Sequence, residues 1–183
     1  LLLTLLFAYG PLCGFDLWWQ IAGGLWSIEH NAIPVTDIFS YTFTDAPWMN
    51  HEWAAGIIFA LIMSVWGFMG LIVIKCLLVF GFLYFAGRIC QVLSGNSRVP
   101  VIELLILVFL ASLRFDLRPH LFSNLFTAYT LYVFCQYRAN NPKIKFFLLT
   151  LPFVFAAWAN LHWGALLGWG LAGLFWLGLV GKS

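Results

Sequence analysis

Five of the seven acidic side chains, Asp16, Glu29, Asp37, Asp45 and Glu52, fall within one stretch, 14–53, that contains no Lys or Arg. A carboxylate beside an apolar segment can work as a general base or as an oxygen ligand for a divalent cation. Asp16 has that position, because it follows the first apolar run and opens an amphipathic stretch; the competing reading is a helix N-cap. Asp37 lies in VTDIFSYT beside Ser40, Tyr41 and Thr42. It is either a second carboxylate for a cation or an acceptor hydroxyl, or an Asx-type turn residue. Asp45, before Ala46-Pro47, reads as a turn residue, and Glu29 as a solvated helix end. His51-Glu52 opens a short apolar helix, where the dipole favours an acid. HEWAA lacks the second His of HExxH, so a zinc-protease reading fails.

The candidate partners of these acids lie further along. Arg114 and Arg118 flank Asp116 in RFDLRPH, which ends at His120. A guanidinium fork matches two phosphate oxygens, and an ion pair with Asp116 or a lipid headgroup is the alternative. Lys75, about one turn into an apolar run, either snorkels or reaches the same phosphate. Asn160 and His162 sit in NLHWG, at a bend where polar groups are costly at membrane depth. Glu103 reads as structural. Cys13, Cys76, Cys90 and Cys135 have no paired metal-ligand spacing and read as small buried hydrophobes.

The segments that must position these groups are strongly apolar. The chain is 63% hydrophobic with 9% charged residues, and its mean hydropathy is +0.94. A soluble domain carries about a quarter charged residues, so this chain belongs in a bilayer. No basic patch suggests nucleic acid. The expected fold is an all-α, polytopic transmembrane helix bundle. Residues 1–13 read as the end of a first transmembrane helix of a longer protein, and 14–66 as an outer loop with two juxtamembrane helices. The spans are expected at 69–93, 100–113, 119–138, 144–159 and 163–181. In the first juxtamembrane helix Leu17, Ile21, Leu25 and Ile28 form an apolar face, opposite Asp16, Gln20, Gly23, Gly24 and Ser27. Its tryptophans suit the headgroup region. The second, beginning at Glu52, reaches only about 22 Å, short of the roughly 30 Å core, and returns to the side it came from.

Cytoplasmic loops collect Lys and Arg. Arg138, Lys143 and Lys145 therefore mark an inner turn, with Arg88, Arg98 and Lys182 in agreement. Alternation puts the acidic loop, RFDLRPH and NLHWG together on the outer face.

This layout resembles the GT-C class of polytopic membrane glycosyltransferases, in particular the protein O-mannosyltransferase and aminoarabinose-transferase type. The matching stretches are Phe15-Asp16 after the first helix, the short helix from His51, and RFDLRP at 114–119; the pattern running from D-x-W-W through F-S-Y-T to H-E-W, with WANLHWG at 158–164, also resembles a branch of bacterial membrane proteins in this group. The family's acidic pair often reads Asp-Glu, whereas Leu17 follows Asp16 here. The short helix often opens His/Lys-Pro-Pro, whereas here it opens His51-Glu52-Trp53. The resemblance implies a polyprenyl-phosphate-linked sugar donor and inversion at the sugar carbon, in a bacterial plasma membrane with the active face outside. It implies Asp16 as catalytic base, with Asp37 or Glu52 as the displaced second acid, and Arg114 and Arg118 at the lipid phosphate. Lys75, His120, Asn160 and His162 complete the expected substrate-binding set. A divalent cation is optional, at Asp16 and Asp37. A non-catalytic transporter or binder of lipid-linked precursors is the competing function.

Overall fold

The structure, a computed structural model, describes residue 12, residues 14–95, residue 106 and residues 115–181. The expected end of a first span at 1–13 falls outside these residues apart from Leu12, and the span expected at 100–113 falls outside them apart from Ile106. Arg98, Glu103, Arg114 and Lys182 also lie outside.

Among the described residues there are five helices: α1 Phe15–His30, α2 Trp53–Ser94, α3 His120–Arg138, α4 Ile144–Leu161 and α5 Ala165–Val180. The extended structure among them is an isolated bridge between Thr36 and Pro47 in the loop after α1. Two of the helices, α2 and α4, are long and apolar enough to cross a membrane. Large apolar side chains point outward along the helices: Val65, Leu149, Phe153, Leu166, Trp169 and Leu174 are all well exposed. A patch of this kind is unstable in water and at ease against hydrocarbon.

The 42 residues of α2 do not form one rod. At about 1.5 Å per residue they would extend about 63 Å, twice a bilayer core. Gly67 interrupts them with φ 60 and ψ −154, a conformation open essentially to glycine alone. Around it the chain turns back so far that Gly70 lies against Ile62, about two turns earlier. A short arm from Trp53 and a long arm to Ser94 therefore meet at Gly67, close to where the sequence predicts a break.

Helix α1 packs on the short arm through glycine. A Cβ on Gly24 would fall inside the Gly56 carbonyl and 2.9 Å from the Ala60 methyl, and one on Gly56 would lie 2.8 Å from the Gln20 carbonyl oxygen. Backbones approach this closely only where side chains are absent, the usual packing device of helices in lipid. The contact faces correct the sequence reading of α1. Gln20, Gly23, Gly24 and Ser27 are buried with Leu17 and Ile21, while Leu25, Ile28, Trp18 and Trp19 face outward. The small and polar side is the inside, because the outside is where bulky apolar groups cost nothing.

The long arm of α2 runs alongside α3: Gly81 meets Leu125, and Phe85 meets Tyr129 and Tyr132. Helix α4 returns against α3, from Tyr132–Phe147 near one end to Phe126–Trp158 near the other. Helix α5 then follows α3 again, with Phe134 stacked on Phe175 at 4.2 Å. The main core gathers Leu17, Phe59, Leu71, Leu117, Leu121 and Phe122, and a smaller one gathers Phe155, Trp158 and Ala165. The starts of α2, α3 and α5 and the end of α4 consequently share one end of the bundle.

Candidate functional site

At that shared end the acid that receives the most attention from its neighbours is Glu52. The Gln20 side-chain amide donates to its Oε2 at 2.5 Å. His162 Nε2 stands 3.4 Å from its Oε1, and His51 Nε2 stands at 3.8 Å. The Gly24–Gly56 contact makes the first of these possible. Gln20 and Glu52 each lie about one turn before their glycine, so backbone contact brings the two side chains together. Burial pushes the Glu52 carboxyl above its ordinary range, with Asp16 adding to the rise; His51 and the Gln20 hydrogen bond oppose it.

His162 occupies the bend between α4 and α5 in extended backbone. Its Nδ1 lies 2.7 Å from Ser123 Oγ and receives the Gly164 backbone N–H at 3.0 Å. Trp158 Nε1 donates to the same Ser123 Oγ at 2.6 Å. Burial, reinforced by His120 and His51, brings the His162 pKa down to about 4. Gly164 is required by space: a Cβ there would collide with Ser123 Oγ and lie 2.7 Å from His162 Nδ1.

Asp16 takes a different partner. Its Oδ2 pairs with Arg118 Nη1 at 3.0 Å, with both side chains partly exposed. Gly14 lies beside the same guanidinium, whose Nε is buried without a hydrogen-bond partner among the described residues. Asp37 is taken up by its own turn: its Oδ1 accepts the Phe39 and Ser40 backbone N–H groups, each at 2.9 Å. The Ser40 hydroxyl, then the Ser40 and Phe39 N–H groups, hold its pKa below the usual carboxylate value. Asp45 adopts positive φ in the same loop, as a turn residue does. Ladder-like bonds from Trp48 N–H to Val35 O and from Asp37 N–H to Ala46 O close the loop, and Trp48 docks it on Trp19 of α1.

The structure therefore brings together Asp16, Glu52, Arg118, His120 and His162 from the expected set, and it engages Asp37 separately. Asn160 is exposed and bonds the Ala156 carbonyl of its own helix. Lys75 is buried on the inward face of α2 with Leu71, Leu78 and Val79. Arg114 lies outside the described residues. Among the described residues no three His, Cys, Asp or Glu side chains gather as a metal site. Asp16 is committed to Arg118 and Asp37 to its turn, so these two do not fit a shared cation. Sequence reasoning missed Gln20, Ser123 and Trp158 as members of the cluster. The available signal was a polar residue one turn inside an apolar helix, which in hydrocarbon has to find a partner.

Comparison with known proteins adds nothing to this geometry: no family model matches the chain, and neither curated proteins nor solved structures give a match.

Proposed function

We propose that the chain belongs to a membrane enzyme that moves a sugar from a polyprenyl-phosphate donor to an acceptor hydroxyl or amine, with the reaction at the end of the bundle that carries Glu52. The observation that supports this most is the half-buried Glu52 carboxylate, held between Gln20 and His162, with the Arg118 guanidinium at the same end. Such a carboxylate suits a general base, since its raised pKa increases its appetite for a proton. The acceptor gives its proton to Glu52 and attacks the anomeric carbon as the bond from that carbon to the phosphate oxygen breaks. The lipid phosphate leaves with the electron pair, and Arg118, steadied by Asp16, offsets the added charge. Relative to the sequence expectation, the base role moves from Asp16 to Glu52, because Asp16 is already neutralised by an arginine.

A second reading, a non-catalytic carrier of lipid-linked precursors, draws on an apolar groove of about 510 Å³ along α4 and α5, lined by Leu148, Leu151, Pro152, Phe155 and Trp169 among others. One assay separates the two. In full-length protein supplied with a polyprenyl-phosphate sugar and candidate acceptors, Glu52→Gln is expected to lower transfer by about 10²–10⁴-fold, the usual worth of a general base. Asp16→Asn is expected to act more weakly, through donor binding. A near-normal rate for Glu52→Gln removes it from the chemistry, and donor binding without any transfer by the wild type favours the carrier.

A further inference from the structure

The hydrogen bonds around His162 have only one consistent direction. An indole N–H can only donate, so Ser123 Oγ accepts from Trp158 and keeps its own proton free for His162 Nδ1. The Gly164 backbone N–H can also only donate, and it points at the same nitrogen. Two donors converge on Nδ1, so that nitrogen carries no proton, and the neutral ring holds its proton on Nε2. Nε2 is the atom that faces Glu52.

We infer that Ser123 and Trp158 are positioning residues that lock His162 in the Nε2–H tautomer, so that Glu52 meets an N–H donor and remains the proton acceptor of the site. The role for Glu52 rests on the function proposed above; the lock itself stands on geometry alone. The arrangement also opposes protonation of His162, because a proton on Nδ1 would confront the Gly164 N–H, which cannot rotate away. The groups that act on the ring from its surroundings are Glu52 and His51 before α2 and His120 at the start of α3. Trp158 is completely buried and Ser123 nearly so, which keeps water from competing for the Ser123 hydroxyl. The direction of these bonds is also that of a hydrolase serine and histidine, but Ser123 is buried and its oxygen already accepts the Trp158 N–H, so it is not open to a substrate as a nucleophile.

The test is nitrogen NMR of the full-length protein with ¹⁵N-labelled histidine, His162 being assigned by its loss in His162→Gln. In the wild type Nδ1 is expected at the shift of an unprotonated ring nitrogen and Nε2 at that of a protonated one. Ser123→Ala is expected to move both toward the averaged position and to raise the midpoint of the His162 titration. Ser123→Thr, which keeps the hydroxyl, is expected to restore both, and Trp158→Phe to weaken the lock in the same direction as Ser123→Ala. A wild-type Nδ1 that carries the proton overturns the inference whatever the variants do, and so does a Ser123→Ala protein with unchanged ring shifts. A locked tautomer in a protein that transfers no sugar upholds the lock and refutes the function on which the role of Glu52 depends.

Discussion

Burial moves Glu52 and His162 in opposite directions, and the two make opposite contributions to stability as pH falls. His162 titrates near its ordinary 6.5 when unfolded and at about 4 when folded. Its contribution is complete above 6.5 and is lost as pH falls toward 4, by about 3 kcal/mol in total. Glu52 has a raised folded pKa, so its contribution is complete below its ordinary value and is lost as pH rises through the folded one. Acidification thus costs the fold through His162 and returns some of that cost through Glu52. Melting temperatures measured between pH 7 and pH 4 are expected to fall less steeply in His162→Gln than in the wild type, and more steeply in Glu52→Gln. Identical slopes in all three proteins would dissociate both residues from acid sensitivity. The sequence carried only part of this arrangement. His162 and Glu52 were recognisable as polar groups in apolar surroundings, but their pairing joins two turns far apart in sequence. Ser123 and Trp158 have no local pattern that announces a partner, so which hydroxyl meets which ring is decided by the α3–α4 contact.

The helix ends were legible because breakers and charges mark them. RANNPKIK separates α3 from α4, NLHWG separates α4 from α5, and Gly67 divides α2, each where the residue types demand it. The facing of α1 was not legible in the same way, since an amphipathic pattern does not say which side is inside. The small and polar side packs inward, and Gly24 shows why. Gly24→Leu is expected to separate α1 from α2 and to lower stability by at least the ~1–3 kcal/mol typical of overpacking. It should also break the Gln20–Glu52 hydrogen bond, so thermal unfolding in detergent and the transfer rate should fall together. Gly67→Ala tests a different cause. Among the described residues nothing lies within 4 Å of a Cβ at that position, so the loss expected is that of backbone strain, about 1–3 kcal/mol. Gly170→Ala, also in open space but within regular helix, serves as the control and is expected to be neutral or slightly stabilising. If Gly67→Ala behaved like that control, the reversal at Gly67 would have to be drawn differently.

At the scale of the whole molecule, the two ends of the bundle differ in charge and are separated by roughly the thickness of a bilayer. The 19 residues of α3 extend about 28 Å, close to the roughly 30 Å hydrocarbon core. At its start lie Glu52, His162, Arg118 and the acidic loop; at its finish lie Arg138 and the turn carrying Lys143 and Lys145. The bias of basic residues toward the cytoplasm therefore predicts an outward-facing site, and it predicts that the acidic loop and the NLHWG bend share a side. Single cysteines introduced after replacement of Cys13, Cys76, Cys90 and Cys135 can read this directly. Tyr41, 98% exposed, and Trp163, 63% exposed, mark the site end, and the exposed Pro142 marks the other. A thiol reagent that cannot cross the membrane is expected to label Tyr41→Cys and Trp163→Cys in intact cells, and Pro142→Cys only after permeabilisation. Labelling of Pro142→Cys alone in intact cells would keep the two-ended architecture and invert its orientation, placing the carboxylate on the cytoplasmic side. Labelling of Tyr41→Cys without Trp163→Cys would be more damaging. Glu52 and His162 could not then stand 3.4 Å apart, and their meeting at one carboxylate would fail along with the function inferred from it.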